Sequence, residues 1–115
     1  MMNNWPETLS NLRKAGGKLA EKNPPVASAY RGLNEALGQG KALDAKTREL
    51  IALAVAVTTR CDGCISSHSA AARKAGATIE EVAEALGTAI ALNAGAAYVY
   101  SARALEAFDQ FEGQA

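Results

Sequence analysis

Apolar residues recur along this chain at intervals of three and four with polar residues between them, a spacing that predicts helices rather than strands. Pro6 suits a first turn, and Leu9, Leu12 and Leu19 share one side of a helix running to about residue 21. Asn23-Pro24-Pro25 interrupts it, and a second helix over 26–37 stops at Gly38-Gln39-Gly40. Asp44 reads as the N-cap of a strong third helix over 45–58. The β-branched pair Thr58-Thr59 loosens its end, and Cys61-Asp62-Gly63 restarts the chain as a fourth helix, closed by Gly76. Thr78-Ile79-Glu80-Glu81 fits a capping box and opens a fifth. Asn93 to Gly95 divides that helix from a sixth, which carries Tyr98, Leu105 and Phe108 and frays at Gly113. The expectation is an all-α bundle of about six helices, a single domain over 1–115.

Composition sharpens this picture. Of 115 residues 26 are alanine and only six are aromatic, so the helices pack closely around a thin core. Twelve basic and twelve acidic side chains cancel, which argues against nucleic acid as a partner. Basic residues cluster no further than the pairs Arg13-Lys14 and Arg73-Lys74, which argues against a polybasic membrane anchor. The longest strictly apolar run, 50–57, is too short for a bilayer. The uncharged stretch 85–102 is interrupted by Gly87, Thr88, Asn93, Gly95 and Ser101. It reads as a helix buried on more than one side, which in so small a domain implies a homo-oligomer. Tyr98, Tyr100 and Phe108 are assigned to core or interface packing, while the sequence does not decide whether Trp5 anchors packing between protomers. No apolar signal segment lies in residues 1–30, so the expected compartment is the reducing cytoplasm. There a CxxC pair signals redox work or a metal more than a structural staple.

The candidate chemistry lies in Glu49, Cys61, Cys64 and the only histidine, His68. On one helix Cys64 and His68 lie about 40° apart around the axis and about 6 Å along it. Cys61 is a further turn away, so a sulfur activated by the imidazole is that of Cys64. A spacing of three leaves the two cysteines within ordinary disulfide reach. An unperturbed cysteine is only about 3% thiolate at neutral pH, and lowering its pKa to about 6 takes roughly 3.4 kcal/mol. A helix N-terminus with a neighbouring imidazole can supply that. Glu49 is suited to orient His68, but it precedes Cys61 by 12 positions and would sit about 120° away on an unbroken helix. The two meet only if the chain bends near residues 58–60, or if Glu49 faces the fourth helix from a neighbouring one.

The string Glu49-x11-Cys61-x2-Cys64-x3-His68, preceded by Leu43-Asp44-x-Lys46-x-Arg48 and followed by Ala75-Gly76-Ala77, resembles the alkylhydroperoxidase D-like (carboxymuconolactone decarboxylase) family. The resemblance covers about residues 25–110. It implies an antioxidant alkylhydroperoxidase or thiol–disulfide oxidoreductase on an all-α fold, assembled as a trimer or hexamer. It also implies a peroxidatic Cys64, a resolving Cys61, and a Glu49–His68 proton relay. The substrate would be a hydroperoxide and the reductant a thiol or a lipoyl-bearing partner, with no cofactor beyond the redox-active disulfide. Some members carry a histidine between the cysteines where this chain has Gly63, and members that act as decarboxylases lack the pair.

Other readings compete. The cysteines could be small buried hydrophobes, or, with His68 and Glu49, zinc ligands in a non-catalytic oligomeric module. Glu49 could be a solvated charge paired with Lys46 or Arg48. A decarboxylase-like activity of the same fold is the remaining alternative.

Overall fold

The computed structural model describes residues 2–114, and among them there are five helices and no strand. Asn4 caps α1 (Trp5–Lys22), its side chain accepting the Glu7 N–H at 3.2 Å. Asn23 ends that helix and at once precedes α2 (Pro24–Leu37), whose first two positions are the prolines. Asp44 caps α3 (Ala45–Thr58) by accepting the Thr47 N–H at 2.8 Å. The remaining helices are α4 (Asp62–Lys74) and α5 (Ile79–Gln110), the latter opened by the full Thr78/Glu81 capping box.

The sixth helix expected beyond Asn93 does not exist as a separate element, because α5 runs unbroken for 32 residues. Asn93 stays in register: its amide donates to Ala89 O one turn back at 2.7 Å and to the Thr58 hydroxyl across on α3 at 2.9 Å. Gly95 costs about 1 kcal/mol in a helix interior, which the strong helix formers around it absorb.

Helix α3 packs against α4 and α5, and its contacts hold the small core of Leu53, Ala56, Ala72, Ala89 and Ser66. Buried Ser66 is satisfied by donating to Gly63 O at 2.9 Å. Helix α1 packs on α4, while α2 touches no helix other than α1. The result is open: the radius of gyration is 19.1 Å, against about 13 Å for a compact chain of this length.

The uncharged 85–102 stretch departs from expectation within the single chain. Only Ala89 of α5 is buried, and Tyr98 and Phe108 are 85% and 80% exposed, so neither they nor Tyr100 belong to an intrachain core. Length explains this. Fourteen residues of α3 span about 21 Å and thirty-two of α5 about 48 Å, so α3 covers only part of its longer neighbour. By length and composition alone, α5 is also long and apolar enough to cross a bilayer.

Candidate functional site

The site is built at the joint between α3 and α4. Helix α3 ends in a left-handed residue, Arg60 (φ 54°), followed by Cys61, whose N–H reaches back to Ala56 O at 3.1 Å. This is a Schellman ending. Helix α4 starts on the same residue: Cys61 has extended backbone and its sulfur accepts the Cys64 N–H at 3.1 Å. One residue therefore closes α3 and caps α4, which places its sulfur at the positive end of the α4 dipole. Cys64 lies in the first turn, and the two cysteines form a disulfide with a Cα–Cα distance of 5.2 Å. Both are partly buried.

The joint turns α4 back against α3, and residues nineteen apart then meet: His68 Nδ1 and Glu49 Oε2 are 2.6 Å apart. Against an acceptor-only carboxylate, Nδ1 carries the proton and donates it, which leaves the Nε2 lone pair to act as base. The side chains of His68 and Glu49 are 35% and 23% exposed, sheltered enough for the pair to hold its geometry while protons still reach it. Both conditions set out for Glu49 are met together, since the chain breaks at residues 59–61 and Glu49 faces α4 from the neighbouring helix. The reading of Glu49 as a solvated charge fails because its rivals are engaged elsewhere. Lys46 pairs with Glu81 at 2.8 Å, and Arg48 donates to Leu43 O at 2.5 Å.

Cys61 departs from the helical geometry expected of it: it is the N-cap, outside α4, so its sulfur is oriented by the Cys64 N–H instead of by helical phase. With each sulfur bonded to the other, no three His, Cys, Asp or Glu side chains among the described residues are grouped to hold a metal.

The charged groups with displaced titration lie at the helix ends. The Thr47 N–H donated to Asp44 holds that carboxyl below its usual range. The Lys46 hydrogen bond, with that of Thr78, does the same for Glu81, and Glu81 in turn raises Lys46. Of these contacts, the Lys46–Glu81 pair links the start of α3 to the start of α5.

Two contacts were not legible from spacing. Helices α3 and α5 enclose an apolar groove of about 390 Å³ whose lining includes Ile51, Val55, Thr58 and Leu92. Helical phase puts its α3 residues on the side away from Glu49. The second contact is at Gly63, between the cysteines: a Cβ there would lie 2.9 Å from a Leu12 methyl of α1. The glycine is the signal for that approach, but nothing in the sequence says which side chain fills it.

Comparison with known proteins follows the same lines. The carboxymuconolactone decarboxylase family matches residues 24–107. An uncharacterized protein of Haemophilus influenzae is 59% identical over 108 residues, which cover 94% of this chain and 96% of the relative. The uncharacterized protein 4 in the cox locus of Paracoccus denitrificans is 39% identical over 106 residues, 90% of this chain and 96% of the relative. Among solved structures, a carboxymuconolactone decarboxylase family protein from Legionella pneumophila superposes with a TM-score of 0.73 at 37% identity, covering 93% of this chain and 96% of its own. A protein from Methanobacterium thermoautotrophicum superposes at 0.68 with 33% identity, covering 74% and 96% of the two chains. The all-helical fold and a match that spans most of the chain agree, and the chain belongs to the carboxymuconolactone decarboxylase family.

Proposed function

We propose that this chain is a cysteine-based alkylhydroperoxidase and thiol–disulfide oxidoreductase. The observation that carries this reading is the Cys61–Cys64 pair at the α4 N-terminus, with His68 one turn on and held by Glu49. Nothing in the decarboxylase reading uses a cysteine pair, and family members that act as decarboxylases lack it.

In the proposed cycle the Cys64 thiolate attacks the distal oxygen of a hydroperoxide. An S–O bond forms, the O–O bond breaks, and the departing alkoxide takes a proton through His68. The products are the Cys64 sulfenic acid and an alcohol. The Cys61 thiolate then attacks the Cys64 sulfur, hydroxide leaves and is protonated to water, and the disulfide closes. The N–H that Cys61 accepts supports the thiolate this step requires. A dithiol reductant, of free thiol or lipoyl type, returns two electrons. Glu49 keeps the His68 proton on Nδ1 so that Nε2 works toward the sulfur. His68 is the chain's only histidine, so the relay has a single imidazole.

We place the working protein in the cytoplasm as a homo-oligomer, trimer or hexamer, without cofactor, nucleic acid or membrane partner. Support for the oligomer comes from the open shape of the single chain and the uncovered apolar length of α5.

The test is the non-reduced intact mass of reduced protein before and after one equivalent of an organic hydroperoxide. Loss of two hydrogens with no oxygen gained is the expected result. Cys64→Ser should consume no peroxide, and Cys61→Ser should stop at a sulfenic acid that a 1,3-diketone traps. Unchanged mass with both thiols intact would assign the pair to a zinc-bearing or inert oligomeric module instead. Full activity in Cys64→Ser would overturn its role.

A further inference from the structure

Between the two cysteines the backbone is covered by another helix. A Cβ built on Gly63 would lie 2.9 and 3.2 Å from the two methyls of Leu12, so the Leu12 side chain occupies the place a residue-63 side chain would take. That contact is part of a two-helix arm. Helix α1 joins the body through α4, and α2 is held only by α1. The arm returns to α3 through a segment that includes Gly38 and Gly40. Leu12 itself is 43% exposed, which is the profile of a side chain resting on a surface and not locked in a core.

We propose that Leu12 is a specificity-determining residue that selects, by size, which reductant reaches the Cys61–Cys64 disulfide. This inference rests on reading that disulfide as redox-active. Reduction needs the incoming thiolate to attack one sulfur of the pair. A mixed disulfide forms, and the other cysteine leaves as a thiolate. The second thiol of the reductant then closes its own disulfide and releases the first cysteine, two electrons having passed to the protein. A small dithiol needs room only for its own atoms. In this proposal a folded dithiol protein docks its backbone beside the pair along the Gly63 flank, where the Leu12 side chain of α1 stands. The arm must shift for the second class of reductant and not for the first.

The experiment measures the rate of reduction of Cys61–Cys64 by dithiothreitol and by reduced thioredoxin, with thiols counted by alkylation and mass. No peroxide is present, so failure here is distinct from failure of the peroxidase reading. Leu12→Ala should raise the thioredoxin rate about fivefold or more relative to the dithiothreitol rate, because access governs the exchange. Leu12→Phe should lower the same ratio, which guards against α1 simply coming loose in the alanine variant. A ratio that stays constant across both variants, or that moves the same way in both, would overturn the proposal.

Discussion

Replacing Glu49 by glutamine separates its charge from its shape. The amide can still accept from His68 Nδ1 at the place where Oε2 now sits 2.6 Å away, but it carries no charge and it can present its NH₂ group instead. Peroxide consumption by Glu49→Gln should fall by about 10²-fold, the usual scale for a lost acid–base partner, while the helical circular dichroism is unchanged. A rate equal to wild type would mean the carboxylate only packs. At this scale the sequence was informative, since four residues stood out by type and spacing and the structure pairs Cys61 with Cys64 and Glu49 with His68. What spacing missed was the capping role of Cys61. Helical phase applies only inside a helix, and the left-handed Arg60 takes Cys61 out of one.

At the scale of the elements, that joint is strained by design of its sequence. A side chain in the left-handed region costs roughly 1 kcal/mol that glycine avoids, although glycine loses more entropy on folding. Arg60→Gly should therefore be neutral or stabilising by up to about 1 kcal/mol in thermal unfolding, with the disulfide still formed. A clear loss of stability would show that the Arg60 side chain contributes something its exposed position does not reveal. Acid should act on the helix starts. Asp44 and Glu81 are held below their usual values, so the stability they contribute is present above pH of about 4 and is lost as pH falls through the lower folded values. Lys46 is raised, so its share is present below its unfolded value and is lost as pH rises through the folded one. The melting temperature should drop on acidification, and less so in an Asp44→Asn, Glu81→Gln double variant. Parallel curves would remove these two carboxylates as the cause. The break wrongly expected at Asn93–Gly95 belongs to this scale as well. Local composition favoured a stop there, but the helix runs on with Asn93 bonded within it to Ala89 O and across to Thr58 on α3.

Over the whole molecule, the single chain leaves large apolar side chains in water: Tyr98 at 85%, Val99 at 73% and Phe108 at 80% exposed on α5, with Tyr30 and Leu33 on α2. Patches of this extent usually mark a surface that something covers. If copies of the chain cover it, light scattering should give a mass of several chains for wild type, and Tyr98→Asp should shift that mass toward one chain. Wild type that behaves as a monomer would remove the oligomer, and partition into lipid vesicles would assign α5 to a membrane. The all-helical class and most helix starts and stops up to residue 81 were determined by the sequence alone, although α2 begins at Pro24 and not at Val26, and the sequence also singled out the four candidate residues. They depend on caps, prolines, glycines and apolar spacing, which act over a few neighbouring residues. Only the tertiary structure decided that Glu49 reaches His68 across nineteen positions, that α5 continues past Asn93, and that Leu12 covers Gly63. Those are contacts between helices, and their partners are chosen by how the elements pack, which no local pattern encodes.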